Sequence, residues 1–284
     1  VEGAVVSDAP ASAPGTLFVV STPIGNLGDL APRAVEVLQS VAAVLAEDTR
    51  HTRVLSERFA IRTPLVAYHE HNEAAVTPRL VERLRAGESL ALVSDAGTPL
   101  VSDPGARLVR AAIDAGITVS PVPGASAVLA ALAAAGLAAD RFTFFGFLAR
   151  RGGERTRSLQ EIATWPHTAV LYESPGRTAA TLAELAAAGA GERRAVVARE
   201  LTKSFEEFRR GTVAELAAYY AEQDPRGEIV IVVEGAPDVT VDESTLRATA
   251  DALRADGCRA REIQTRLTAM GAARNLAYRL AHES

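Results

Sequence analysis

The sequence predicts an α/β protein: two α/β domains in succession, followed by a small helical C-terminal domain. Three observations predict it. From Thr16 onward, short apolar runs alternate with stretches of helical apolar spacing, the pattern of strands connected by helices. That rhythm breaks at Pro-Val-Pro-Gly (121–124), and a second alternating stretch with more hairpin character follows. Beyond the polar residues 238–244 the apolar spacing is helical alone.

In the first stretch, strand-like runs at 17–20, 44–46, 65–68, 89–93 and 118–122 alternate with helical spacing over 31–41, 52–59, 77–86 and 105–115. An Ala-rich helix over 126–137 leads out of the hinge. The second stretch carries strands at 141–146, 168–172, 194–199 and 228–233, and helices at 155–163, 177–188 and 213–221. In the tail, helices at 246–255, 260–270 and 274–282 are punctuated by Asp256-Gly257 and Gly271, with Leu253, Ile263, Leu267, Leu276 and Leu280 as their core. The expected division is a tail over 1–14, α/β domains over 15–122 and 123–238, and a helical domain over 239–284. No internal repeat is present.

Composition narrows the function. A chain of 284 residues with 48% hydrophobic content can fill a sizeable core. Thirty basic against thirty-five acidic residues give a net charge of −5, so the chain is not a polycation that coats nucleic acid indiscriminately. The single cysteine, Cys258, excludes an internal disulfide or a cysteine metal cage and fits a reducing cytoplasm. No apolar run approaches the roughly 20 residues of a membrane span. Residues 1–14 lack a basic start and an apolar core, so they read as a loose tail and not a signal peptide. From Ser244 onward seven Arg stand against four carboxylates, a net +3 that leaves −8 on the rest. That asymmetry points to a polyanion partner, or equally to a helical cap with a solvated Arg face. Arg abundance itself says little, because twenty-nine of the thirty basic residues are Arg and only Lys203 is Lys.

Neither G-x-G-x-x-G nor G-x-x-x-x-G-K-[ST] occurs. A Gly/Pro-rich turn, S-D-A-G-T-P-L-V-S-D-P-G (94–105), instead joins a strand to a helix, where open α/β sheets place ligands. Gly97 permits close backbone approach, Pro99 stiffens the turn, and Asp95 can accept from an amine or a ribose hydroxyl. Polar loops at S-T-P-I-G-N-L-G-D (21–29), E-D-T-R (47–50), H-E-H-N-E (69–73) and P-G-A-S-A (123–127) also follow strands, so a polar rim converges on one sheet edge. Y-E-S-P-G-R (172–177) and R-E-L-T-K (199–203) follow strands of the second stretch and can close over the same cleft. His69 and His71 flank Glu70, but no third ligand spacing accompanies them, so no metal is expected.

Together with G-E-I-V-I-V-V-E-G (227–235), these segments resemble the tetrapyrrole-methylase-like superfamily of S-adenosylmethionine (SAM) methyltransferases. The tetrapyrrole branch typically has a G-D-P type turn, whereas Gly97-Thr98-Pro99 stands here, which favours the RNA-modifying branch. The resemblance implies a two-domain α/β fold of the tetrapyrrole methylase type with SAM in the interdomain cleft. It also implies a homodimer and methyl transfer to the ribose 2′-oxygen of a cytidine in the decoding region of 16S rRNA, alone or in the 30S subunit. Pro23, Asp95, Ala96, Gly97, Thr98 and Pro99 would hold the cofactor, with Val101, Ser102, Ser126, Ala127 and Tyr172 around it. Ala198 and Gly227-Glu228-Ile229 would close the pocket from the second domain.

Methyl transfer to an alcohol is an in-line displacement assisted by removal of a weakly acidic proton. The candidates for the proton are Asp29, Glu47, Asp48, Glu200 and Lys203, all in loops on the predicted cleft. Lys203 stands out because Arg fills every other basic position, and a compact ammonium beside a developing oxyanion is chemistry that Arg does not reproduce. For RNA phosphates the candidates are Arg50, Arg177, Arg199 and Arg274, with Arg150, Arg151, Arg155 and Arg157 in a Gly-hinged basic loop. Two alternatives stand beside this reading: a SAM methyltransferase of a tetrapyrrole-like small molecule, and a SAM-sensing nucleic-acid-binding regulator without turnover.

Overall fold

The computed structural model describes residues 13–223, 225–237 and 242–283. Most of the expected tail and part of the expected linker lie outside them. The described residues up to Glu234 form one compact unit and those from Gly235 a second.

The larger unit is built on two five-stranded sheets. In the first, β1 (Thr16–Val20), β2 (Ala43–Ala46), β3 (Leu65–Ala67), β4 (Leu90–Val93) and β5 (Thr118–Val122) run parallel in the order β3-β2-β4-β1-β5. Continuous apolar strands suit a sheet covered on both faces. Leu17, Leu45, Leu90 and Leu92 pack beneath α3 (Glu73–Arg85) and α4 (Ala106–Asp114). Val20, Val44, Ala46, Ala91 and Val93 pack on α1 (Pro32–Ser40) and α2 (Thr49–Arg58). Each buried Leu or Val side chain among these stabilises the fold by about 2 kcal/mol. The chain leaves the neighbouring strands β1 and β4 in opposite directions, toward β2 and β5, so a crevice opens at their carboxyl ends.

α5 (Ala127–Ala135) leads to the second sheet. Its strands β6 (Phe142–Phe147), β7 (Thr168–Glu173), β8 (Arg194–Arg199), β9 (Glu207–Thr212) and β10 (Ile229–Val233) lie in the order β6-β7-β10-β8-β9, with only the β6–β7 pair parallel. Leu171, Val197, Ile229 and Ile231 face α6 (Gly153–Thr164), α7 (Pro175–Leu185) and α8 (Val213–Glu222). Val170, Tyr172, Ala198 and Val230 face α5.

The smaller unit holds α9 (Glu243–Ala255), α10 (Ala260–Ala269) and α11 (Arg274–His282) around Leu246, Leu253, Ile263, Leu267 and Leu280. Asp242 caps α9 by accepting the Thr245 N–H at 2.8 Å.

Three departures from the sequence reading have physical causes. α2 starts three residues earlier than expected because the Asp48 side chain caps it. α3 runs four residues ahead of its expected start and tolerates Pro78 inside it, at the loss of one helical hydrogen bond. β9, E-F-R-R-G-T, was not expected as a strand, because an edge strand with two arginines lacks the apolar alternation of its neighbours.

Candidate functional site

The loops after β1 and β4 meet at the crevice. Thr22 and Gly97 exchange backbone hydrogen bonds of 2.8 and 3.1 Å, and Gly97 adopts φ +78°. Ser21 and Thr98 hydroxyls lie 3.0 Å apart, and Thr98 donates to the Ala125 carbonyl at 3.2 Å, tying in the turn after β5. Leu100 and Ser102 sit in the left-handed region at φ 73° and 69°, a strain of about 1–3 kcal/mol each that clusters at functional loops.

Two chambers open around this knot. The first, about 360 Å³, is lined by Ala96, Gly97, Thr98, Val101, Ser102, Ser126, Ala127, Tyr172, Gly227, Glu228 and Ile229, all expected as cofactor contacts. Ile24, Asp103, Phe147, Val230 and residues 173–175 complete it. The second, about 380 Å³, contains Pro23, His51, Asp95 and Lys203. Ile24, Ala96 and Glu228 line both, so they form a shared wall. Pro23 and Asp95, expected at the cofactor, thus stand in the second chamber. Pro99 is buried within the turn and lines neither chamber, and Ala198 is fully buried beside Val230, its partner on the neighbouring strand, in the face packed on α5.

The first chamber carries Asp103, Glu173 and Glu228 but no lysine or arginine. Glu173 is already paired with Arg177 at 2.6 Å. Asp103 has no cationic partner among the described residues. Burial pushes its pKa up, the Ser94 hydroxyl partly offsets this, and the Asp95 charge adds to the rise. Glu47 is pushed up by burial and by the charges of Asp103 and Asp95.

Lys203 reaches the second chamber over Gly25, where an added Cβ would stand 2.4 Å from the lysine Cγ. Its Nζ donates to Glu228 at 2.8 Å and Glu200 at 3.0 Å. Partial burial lowers its pKa, but the two carboxylates outweigh this and the net shift is upward, so the amine stays protonated. Of the two roles open to Lys203, this favours a compact positive charge over a proton acceptor. Glu200, at φ 49°, also accepts the Glu228 N–H at 3.1 Å, and Gly227 leaves room for it. The Lys203 hydrogen bond holds the Glu200 carboxyl below its ordinary value, so Glu200 positions the lysine and is a poor base.

Two other candidate bases are displaced. Asp48 caps α2 and binds Arg50 at 2.7 Å, and the Arg50 hydrogen bonds hold its carboxyl well below the usual range. Asp29 is exposed in the short turn Leu27–Asp29 and lines neither chamber. Among the RNA candidates, Arg155 is a correction: it is 7% exposed and bound to Glu184 at 2.7 Å and the Thr181 hydroxyl at 2.9 Å. The expected basic loop is mostly the first turn of α6, which turns Arg155 inward and leaves Arg150, Arg151 and Arg157 exposed. Arg50 is exposed beside Asp48, Arg177 is half-buried against the Leu148 carbonyl, and Arg199 pairs with Glu207 at 2.6 Å. Arg274 is exposed at the start of α11.

Residues 16–217 match the family profile of Tetrapyrrole (Corrin/Porphyrin) Methylases. The chain belongs to this family. Within it the chain falls among sequences named ribosomal RNA small subunit methyltransferase I. It is 54% identical to that of Xylella fastidiosa over 80% of this chain and 84% of the relative. It is 46% identical to that of Bacillus subtilis over 81% and 78%. Solved structures share the fold. Uroporphyrin-III C-methyltransferase from Thermus thermophilus complexed with S-adenosylhomocysteine superposes with a TM-score of 0.55 at 23% identity, over 77% of this chain and 96% of that one. A diphthine synthase superposes with 0.58 at 16%, over 78% and 89%.

Proposed function

We propose that the chain is a SAM-dependent methyltransferase that methylates the ribose 2′-oxygen of a decoding-region cytidine in 16S rRNA. The observation that carries this reading is the pair of adjoining chambers, one acid-lined and without a basic residue, the other holding the protein's only lysine. The first chamber fits SAM: its volume is in the range of small-molecule sites, about 300–1,000 Å³, and unpaired Asp103 suits a cationic sulfonium or ammonium. When bound there, SAM supplies an electrophilic methyl group on a positive sulfur.

The second chamber suits the acceptor ribose. With cofactor and ribose meeting where Ile24, Ala96 and Glu228 line both chambers, these residues fix the line of approach along which the oxygen–methyl bond forms as the methyl–sulfur bond breaks. Lys203, kept protonated by Glu228 and Glu200, offers its ammonium to the negative charge developing on the ribose oxygen. Two carboxylates line that chamber, and since Glu228 is bound to Lys203, Asp95 takes the proton. Its Oδ1 accepts the Asp48 N–H at 3.0 Å, which fixes its orientation.

The names of the relatives favour ribosomal RNA over a tetrapyrrole and an enzyme over a non-catalytic sensor. We also read the chain as a cytoplasmic homodimer acting on 16S rRNA or the 30S subunit. Its domain boundary is placed at 122/123, supported by the end of β5 and the start of the strands of the second sheet. Incubation with labelled SAM and 30S subunits, naked 16S rRNA or a free tetrapyrrole tests the reading. Label in 16S rRNA at an alkali-resistant ribose is expected, and label on the tetrapyrrole or on no substrate overturns it.

A further inference from the structure

Directly opposed residues of antiparallel strands point to one face of a sheet. Ile229 faces α8, and its opposed partner Arg199, with Glu207 opposite Arg199 in turn, stands on that face too. There a separate cavity of about 200 Å³ is lined by Arg199, Glu207, Tyr220 and Arg226 among others.

Two features mark it as built for an anion. Tyr220 is only 4% exposed, yet its hydroxyl is buried without a hydrogen-bond partner. Buried polar groups are nearly always satisfied, so a donor without an acceptor, on a side chain that lines a cavity, calls for an acceptor from outside. The adjacent Tyr219, by contrast, donates to Gln223 at 2.7 Å. The second feature is charge. Glu207 is shared between Arg199 at 2.6 Å and Arg209 at 3.0 Å, while Arg226 has no carboxylate partner among the described residues. Two guanidiniums therefore bind one carboxylate, and a third lines the same cavity. Arg209 also stacks over the Tyr219 ring at 3.7 Å, and its Nε is buried without a partner.

The cavity shares two segments of chain with the chambers. Arg199 directly precedes Glu200, which holds Lys203, and Arg226 directly precedes Gly227 and Glu228 of the shared wall. We propose that this cavity binds a backbone phosphate of the RNA substrate close to the methylated nucleotide, with the Tyr220 hydroxyl donating to a phosphate oxygen and Arg199 and Arg226 supplying the charge. The proposal rests on the RNA reading above and deepens it. Burial keeps the phenol in its protonated, donating form.

Affinity for 16S rRNA and 30S subunits, measured across a salt series, tests it on the full chain with the variants Tyr220→Phe and Arg226→Gln. Tyr220→Phe removes only an unpaired hydroxyl, so thermal stability and SAM affinity stay at wild-type values while RNA affinity falls about tenfold. Arg226→Gln lowers the slope of log affinity against log salt by about one. Wild-type RNA affinity and salt slope in both variants, or a wild-type chain that binds no RNA, overturns the subsite. Methyl transfer to 30S subunits is read in parallel: wild-type turnover with unaffected variants removes the subsite alone. RNA binding lost in the variants but no methyl transfer by the wild type removes the proposed activity alone.

Discussion

The two sheets of the larger unit treat their charges in opposite ways. On the first, Glu47, Asp95 and Asp103 gather beyond the strand ends with no cation partnered to them among the described residues, and burial and mutual repulsion raise the pKa of two of them. On the second, Lys203 takes two carboxylates, Glu207 takes two arginines and Glu173 takes Arg177. The first sheet leaves negative charge for a ligand to meet. The second settles its own and presents one fixed ammonium. A cationic methyl donor and a developing oxyanion need these two environments side by side.

Removing the fixed ammonium gives the largest effect. Lys203→Met is expected to lower kcat about 100-fold with SAM affinity retained, measured by single-turnover kinetics and calorimetry. Lys203→Arg sharpens this, because full turnover with Arg would show that a compact cation is not required. Gly25→Ala tests the positioning of the same group: the new Cβ collides with the lysine stem, and kcat falls about tenfold without change in SAM affinity. On the first sheet, Asp103→Asn is expected to weaken SAM binding about tenfold by calorimetry, with little loss of RNA affinity. Truncation after Glu234 removes the smaller unit, and RNA affinity and its salt dependence fall severalfold by filter binding while SAM affinity holds.

The smallest effect is in stability against pH. The Glu47 pKa is raised in the folded state, so its contribution is fully present below its unfolded pKa, near 4.5, and is lost as pH rises through the raised value. Glu47→Gln should therefore leave the melting temperature unchanged near pH 4 and raise it at pH 7, by about 1 °C after allowance for solvent screening. An equal shift at both pH values would show that the carboxylate charge is not what costs stability.

The same contrast explains what was legible in the sequence. The central strands β2 and β4 of the first sheet could be read directly because buried parallel strands are uninterrupted apolar runs, and the 94–105 turn announced itself by Gly, Pro and Asp at a strand end. Asp103, in the same turn, was missed because its place in the chamber follows from left-handed Leu100 and Ser102, which no residue preference signals. In the second sheet the chemistry depends on pairing. The Lys203 ammonium is held by Glu200 nearby in sequence and by Glu228, twenty-five residues away, and the second partner is set only by the fold. Arg155 carried every sign of a surface cation, and only the packing of α6 on α7 turns it inward to Thr181 and Glu184.

The wall between the chambers is thin enough that Ile24, Ala96 and Glu228 each touch both sides. One molecule carrying an adenosyl group and a nucleoside on a short tether would therefore fill both compartments together. Tethering makes its second half bind at a high local concentration, so such a bisubstrate compound should inhibit far more tightly than either half alone.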